Sequence, residues 1–154
     1  MYAGWSKAYA TNSLRLFEVG VKFMEVFFKR GIPGVEHLRR FKIEEIKENE
    51  KFKVISSVEE QISFVAVSPF DFYSDYELHL DDETIKELNI ENPKDVLVLN
   101  ILTLGDSFND STVNLKAPII INVKNNLGKQ YIMQCDTYDT KHPLIRREKD
   151  VSNY

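Results

Sequence analysis

The chain has 154 residues, the length of one compact domain, and with 43% hydrophobic and 29% charged residues it is neither a disordered tail nor a membrane protein. Its formal net charge of −4 argues against a protein whose whole surface binds nucleic acid. The single cysteine excludes a disulfide scaffold and a four-cysteine zinc site, and it fits a reducing, cytoplasmic compartment.

The N-terminal part begins with small, polar and aromatic residues. Residues 1–13 have no continuous apolar core, which predicts a flexible extension and no signal peptide. Residues 14–28 are densely apolar but poorly periodic, and therefore predict two short strands instead of one helix. A turn is expected at residues 31–34, because Gly31 and Gly34 permit unusual backbone angles.

Three elements are predicted in the middle of the chain. The alternating residues 40–44 predict a half-buried strand, and residues 62–67 predict a strand that is covered on both faces. Residues 76–80 alternate as well, which predicts a strand with Glu77 and His79 on the polar face. A short helix is expected at residues 81–88, because acidic residues cap and complement the positive end of a helix.

The last third of the chain is rich in strand signals. Residues 95–105 predict the longest strand, and residues 117–124 and 129–134 predict a hairpin. The intervening loop carries Gly128, which we expect to adopt a left-handed conformation there.

The fold class that follows is mainly β. Strands do not alternate with long helices, which disfavours a parallel α/β sheet. We predict a small antiparallel β-barrel-like domain with one short α-helix over residues 14–146, followed by a C-terminal tail at residues 147–154. The longest apolar runs are strand-sized, so no membrane-spanning segment is expected.

Few residues suggest catalysis. Cys135 with the nearby His142 is one candidate for a nucleophile and its base, but we expect a buried structural cysteine. His79, Asp81 and Asp75 could share a metal ion, although a second nitrogen or sulfur ligand is missing. The residues therefore predict no enzyme, no catalytic or metal site and no cofactor. A small metal-dependent or thiol hydrolase using His79 or Cys135 remains the alternative.

Negative charge is concentrated in one stretch of the chain. Between Asp71 and Asp95 there are nine acidic residues and two lysines, which gives −7 and leaves +3 for the remainder. Such a stretch is either a solvated face or a docking surface for a basic partner, since fields of like charge steer association.

Several short motifs occur in a fixed order. The longest is TVNLKAPIIIN at residues 112–122; it is accompanied by GIPGVE at 31–36, the apolar strand ending in SPF at 62–70, DYE at 75–77, the strand at 98–104 and KHPL at 141–144. Together these motifs resemble the flagellar assembly factor FliW family, over about residues 17–145. The sequence departs from the family pattern at Val35, where phenylalanine is usual, and at His79, where an acidic residue is common.

The resemblance implies a cytoplasmic, non-enzymatic regulator of flagellum assembly. Proteins of this family bind the RNA-binding translational regulator CsrA and antagonise it, which relieves repression of flagellin mRNA; they also bind flagellin, in a partner-switching loop. The implied CsrA-binding residues are Asp75, Tyr76, Glu77, Asp81 and Asp82. A flagellin-binding surface is predicted around Leu102 and Leu104. No direct contact with nucleic acid or a membrane is expected. A flagellin chaperone without a role in RNA regulation is the alternative.

Overall fold

The computed structural model describes residues 23–145, in which nine strands and one α-helix are found. The helix, α1, covers Asp82–Glu87 and is preceded by a short 3₁₀ turn at Pro69–Asp71. The strands are β1 (Phe23–Phe28), β2 (Arg40–Ile46), β3 (Asn49–Ser57), β4 (Ser63–Val67), β5 (Val96–Thr103), β6 (Thr112–Val113), β7 (Ile119–Asn122), β8 (Leu127–Gln130) and β9 (His142–Pro143).

Seven of these strands form a closed ring. Their hydrogen-bonded order is β4-β3-β2-β1-β8-β7-β5, and β4 also pairs with β5, so that no edge is left among these seven strands. β6 and β9 extend the sheet beyond β5. The predicted mainly β, barrel-like fold with one short helix is thereby confirmed. One detail of the prediction is wrong, because β1 and β8 pair in parallel, through Phe27–Leu127 and Phe28–Gly128.

The ring separates two hydrophobic cores. Alternate residues of β1, β2, β3, β4, β5 and β7 contribute to one cluster, which therefore lies inside the ring. The second cluster covers the outside of β5 and β7 and is completed by the chain between Phe70 and Leu88 and the C-terminal segments. Leu97 and Leu99 belong to the inner cluster and Val96 and Val98 to the outer one, which explains why this strand is apolar on both faces.

Two predictions about local structure are corrected. Residues 76–80 alternate between buried and exposed, as expected, but they pair with no strand of the described chain. The hairpin between β7 and β8 turns at residues 123–126, where Asn126 has the positive φ of 58° that was expected at Gly128. Gly128 lies inside β8, where a Cβ atom would come within 2.8 Å of Phe28 and of Val26.

Other expectations concern the chain ends. The turn at residues 31–34 is confirmed, with positive φ at both glycines, and β1 is one of the two strands predicted in residues 14–28. The N-terminal extension at residues 1–13, the other short strand and the C-terminal tail at residues 147–154 lie outside the described residues. Every helical segment between residues 23 and 145 falls short of the length and apolar character that crossing a membrane requires.

Candidate protein-binding site

The acidic segment, defined here as residues 75–82, runs across the outer core between the 3₁₀ turn and α1. Its apolar side chains Tyr76, Leu78 and Leu80 are buried in that core, and the intervening side chains are exposed. The segment carries four carboxylates and one histidine and no lysine or arginine. Because every second residue is held in the core, the charged side chains project from the surface as one row.

Tyr76 attaches the acidic segment to the outer core. Its side chain is only 2% exposed, and its hydroxyl group donates a hydrogen bond of 2.8 Å to the carbonyl oxygen of Leu115. Its ring centroid lies 4.7 Å from that of Tyr138 and 5.7 Å from that of Phe70. Burial raises the pKa of the Tyr76 hydroxyl well above its ordinary value. Tyr76 therefore belongs to the segment as a buried residue, and its assignment to CsrA binding stays a prediction.

Two further tyrosines hold the backbone of the acidic segment. The hydroxyl oxygen of Tyr138 accepts a hydrogen bond of 2.9 Å from the backbone N–H of Glu77. The hydroxyl group of Tyr131 donates one of 3.2 Å to the carbonyl oxygen of His79. Burial raises the pKa of both hydroxyl groups, so both stay protonated at neutral pH. These two residues, which were missed at the sequence level, replace the partners that a neighbouring strand would have supplied.

Asp81 of the acidic segment caps α1. Its Oδ1 atom accepts a hydrogen bond of 2.8 Å from the backbone N–H of Thr84, as the capping prediction required. Hydrogen bonds from the Thr84 side chain and backbone lower the pKa of Asp81. Asp82, the first residue of α1, is exposed beside it.

We expect Asp81→Ala to lower the free energy of unfolding by about 1 kcal/mol at neutral pH, because the first turn of α1 loses its cap. Since the pKa of Asp81 is lowered by folding, its contribution is complete above the ordinary aspartate pKa and is lost as the pH falls through the folded value. Urea denaturation at neutral pH and at about pH 3 measures both effects. Asp75→Ala is the control. If both variants lost the same free energy of unfolding, the capping role of Asp81 would be contradicted.

The acidic residues of α1 are partly neutralised. The Glu87 carboxylate lies 2.6 Å from Arg30 Nε and 2.8 Å from Lys129 Nζ, and Glu83 lies 3.9 Å from the Arg30 guanidinium. Burial acts to raise the pKa of Glu87, but Lys129 and Arg30 outweigh it and hold the pKa below its ordinary value. Part of the negative charge of α1 is consequently balanced by Arg30 and Lys129.

Of the two predicted flagellin-binding residues, one is buried and the other is exposed. Leu102 is 5% exposed and belongs to the outer core, so its assignment to an exposed surface is wrong. Leu104 is 60% exposed in the loop after β5, and Phe108, which sequence reasoning missed, is 47% exposed in the same loop. The ring of Phe108 packs 5.6 Å from that of Phe52. This loop therefore presents two apolar side chains to the surroundings.

The residues considered for catalysis are placed as follows. Cys135 is exposed, which corrects the prediction of a buried structural cysteine; the strand that was expected to contain its neighbours ends at Gln130. The His142 ring packs against those of Tyr73 and Tyr138. Between residues 23 and 145, no three histidine, cysteine, aspartate or glutamate side chains are arranged to hold a metal ion.

Comparison with known proteins gives one consistent result. Residues 11–144 match the sequence model of the FliW protein family. The flagellar assembly factor FliW of Clostridium novyi (strain NT) is 51% identical over 120 residues, which are 77% of this chain and 84% of the relative. That of Clostridioides difficile (strain 630) is 44% identical over 124 residues, 80% of this chain and 95% of the relative. A crystal structure of a flagellar assembly factor FliW is similar with a TM-score of 0.76 at 40% identity, covering 80% of this chain and 87% of that one.

Proposed function

The chain belongs to the FliW family of flagellar assembly factors, and on this premise we propose that it binds CsrA through the exposed carboxylates of the acidic segment. The observation that carries the proposal is the row of charged side chains held in place by buried Tyr76 and by the hydroxyl groups of Tyr131 and Tyr138. A row whose backbone is fixed loses little conformational freedom on binding.

Charge explains how such a contact would antagonise CsrA. A protein that binds RNA must present basic residues to the phosphates. Carboxylates docked beside those residues attract the protein and repel the RNA. The protein thus acts in the cytoplasm by binding CsrA, and it catalyses no reaction. Asp75, Glu77, Asp81 and Asp82 are exposed and supply this charge, whereas Tyr76 acts only by holding the segment.

Flagellin is the second partner of the proposed loop. Leu104 and Phe108 are exposed apolar side chains in the loop between β5 and β6, which is part of the chain outside the acidic segment. Aromatic side chains are enriched at protein–protein interfaces. Binding of newly made flagellin to this protein would release CsrA, which then represses flagellin translation.

Reversing one charge tests the proposal. We expect Glu77→Lys to weaken CsrA binding about fivefold at low salt, because an exposed attraction is replaced by a repulsion. The difference in CsrA affinity between the variant and the original protein should become smaller at high salt, since screening weakens both the attraction and the repulsion. Isothermal titration calorimetry at two salt concentrations measures this. Glu77 is preferable to Asp81 because reversal of Asp81 also removes the cap of α1.

A matched variant controls for net charge. Glu48 is exposed in the turn between β2 and β3, so Glu48→Lys changes the net charge by the same amount in another part of the chain. This variant should bind CsrA as the original protein does. If both variants lose the same affinity, or if neither does, the acidic segment is not the docking surface.

A pull-down experiment distinguishes this proposal from the chaperone alternative. The immobilised protein should retain CsrA, and addition of flagellin should reduce the amount retained. Retention of flagellin without any retention of CsrA would instead establish a flagellin chaperone with no role in RNA regulation.

A further inference from the structure

Three phenylalanine rings pack together close to the acidic segment; they are defined here as the aromatic patch, Phe52, Phe72 and Phe108. The ring centroid of Phe52, which is only 7% exposed, lies 6.0 Å from that of Phe72 and 5.6 Å from that of Phe108. Phe108 is 47% exposed and Phe72 is partly exposed, so a buried ring supports two rings that a partner can reach. Aromatic rings dominate the energetics of protein interfaces, because each of them buries a large apolar area.

The aromatic patch is continuous with the acidic segment. Phe72 follows the 3₁₀ turn and precedes Asp75 by three residues, so the two Cα atoms are at most about 11 Å apart. The chain turns between them, because the backbone N–H of Tyr76 donates a hydrogen bond of 3.1 Å to the carbonyl oxygen of Tyr73. A typical interface covers about 800 Å² on each partner, an area roughly 30 Å across. A protein that docks on the acidic segment therefore reaches the aromatic patch as well.

Acidic side chains border the aromatic patch. Asp71 immediately precedes one of the exposed rings, and Asp106 and Asp110 lie on either side of the other in the loop between β5 and β6; all three aspartates are exposed. The Lys51 ammonium group, 5.8 Å from the centroid of the Phe72 ring, offsets part of this charge. Apolar rings with an acidic border fit a partner that carries basic residues around an apolar contact.

We propose that the aromatic patch is the apolar centre of the surface that binds CsrA. This inference rests on the proposed function and extends the same site from the acidic segment to Phe72 and Phe108. Exposed charges mainly raise the association rate and select a basic partner, whereas a few well-packed side chains carry most of the binding free energy. The acidic segment supplies the first contribution and the aromatic patch supplies the second.

Shared use of Phe108 makes the two partners mutually exclusive. Phe108 belongs both to the aromatic patch and to the loop assigned above to flagellin. A ring covered by one protein is inaccessible to another, so CsrA and flagellin compete for one surface. The apparent dissociation constant of CsrA should then rise in proportion to the flagellin concentration. Two separate, coupled sites would instead give a plateau.

The test compares three phenylalanine variants by calorimetry with CsrA at low and at high salt. We expect Phe72→Ala and Phe108→Ala to bind CsrA about tenfold more weakly than the original protein does. The loss should persist at high salt, unlike that of Glu77→Lys, because screening does not act on an apolar contact. Phe23→Ala is the matched control and should bind unchanged: Phe23 is 54% exposed but lies on β1, with Lys42 Nζ 4.7 Å from its ring centroid.

The possible outcomes separate this inference from the proposed function. If Phe72→Ala and Phe108→Ala bind CsrA as the original protein does while Glu77→Lys binds weakly, the aromatic patch is not part of the surface and the proposed function stands. An equal loss for Phe23→Ala would also overturn the inference, and a plateau in the flagellin titration would overturn the shared surface. Failure of the original protein to bind CsrA would overturn both proposals. Circular dichroism checks the fold of each variant, and the half-exposed Phe108 carries the test if Phe72→Ala does not fold.

Discussion

Replacing Tyr76 by alanine is expected to lower the free energy of unfolding by about 4 kcal/mol, the range measured for large aromatic side chains removed from a core. The ring is almost fully buried, and it packs against the rings of Phe70 and Tyr138. The variant also loses the hydrogen bond to the carbonyl oxygen of Leu115. Urea denaturation followed by circular dichroism measures the change.

Tyr76→Phe separates the two contributions. It retains the ring and removes only the hydroxyl group, which leaves the buried Leu115 carbonyl oxygen without this donor and costs about 1 to 2 kcal/mol. If Tyr76 were a surface residue that served only to contact CsrA, both variants would stay within about 0.5 kcal/mol of the original protein. A small effect of the alanine variant would thus contradict the buried position and restore Tyr76 as a contact residue.

The strands that could be predicted are those in which burial and pairing coincide. Residues 40–44 and 95–105 correspond to β2 and β5 because one or both of their faces pack against a core. Residues 76–80 show the same alternation without being a strand. Alternation reports that an extended chain lies on an apolar surface, and it does not reveal whether another backbone lies alongside. Tyrosine hydroxyl groups supply part of the hydrogen bonding in this case.

The position of the candidate site could be predicted, but not what holds it. The charge pattern identified the acidic stretch because charge is additive along the chain. Tyr131 and Tyr138, which hold it, lie more than 50 residues further along the sequence, and no periodicity links them to the segment. The burial of Tyr76 did have a signal, since alternation placed it on the same face as Leu78 and Leu80. The DYE motif suggested a contact residue because a motif does not indicate which of its members are exposed.

The ion pairs of Glu87 with Arg30 and Lys129 could not be predicted from the sequence either. Arg30 follows β1 and Lys129 belongs to β8, two strands that become neighbours only when the ring closes. Ring closure also explains why the strand order was left open. It depends on the parallel contact between β1 and β8, which are about 100 residues apart and share only two residue pairs.

The closing contact between β1 and β8 leads to the second large effect. Gly128→Ala is expected to lower the free energy of unfolding by about 3 kcal/mol, the upper range for overpacking a core. The added Cβ atom would lie 2.8 Å from Cε1 of Phe28 and 2.8 Å from Cγ1 of Val26, both of which are completely buried inside the ring. Both side chains belong to the core inside the ring, and a shift of β8 would weaken the short pairing with β1.

Gly34→Ala distinguishes steric overlap from backbone strain. Gly34 has a positive φ of 95°, but no atom lies within 4 Å of an added Cβ, so only conformational strain of about 1 kcal/mol is expected there. A double variant of Gly128→Ala with Phe28→Leu should cost less than the sum of the single changes, because the smaller side chain relieves the overlap. Urea denaturation of the original protein, Gly128→Ala, Phe28→Leu and the double variant gives the coupling free energy between the two positions. The prediction would be contradicted if the losses of unfolding free energy were additive in the double variant, or if Gly128→Ala and Gly34→Ala lost the same amount. Either result would mean that β1 and β8 separate easily. In that case the absence of a side chain at Gly128 would not be what allows the ring to close.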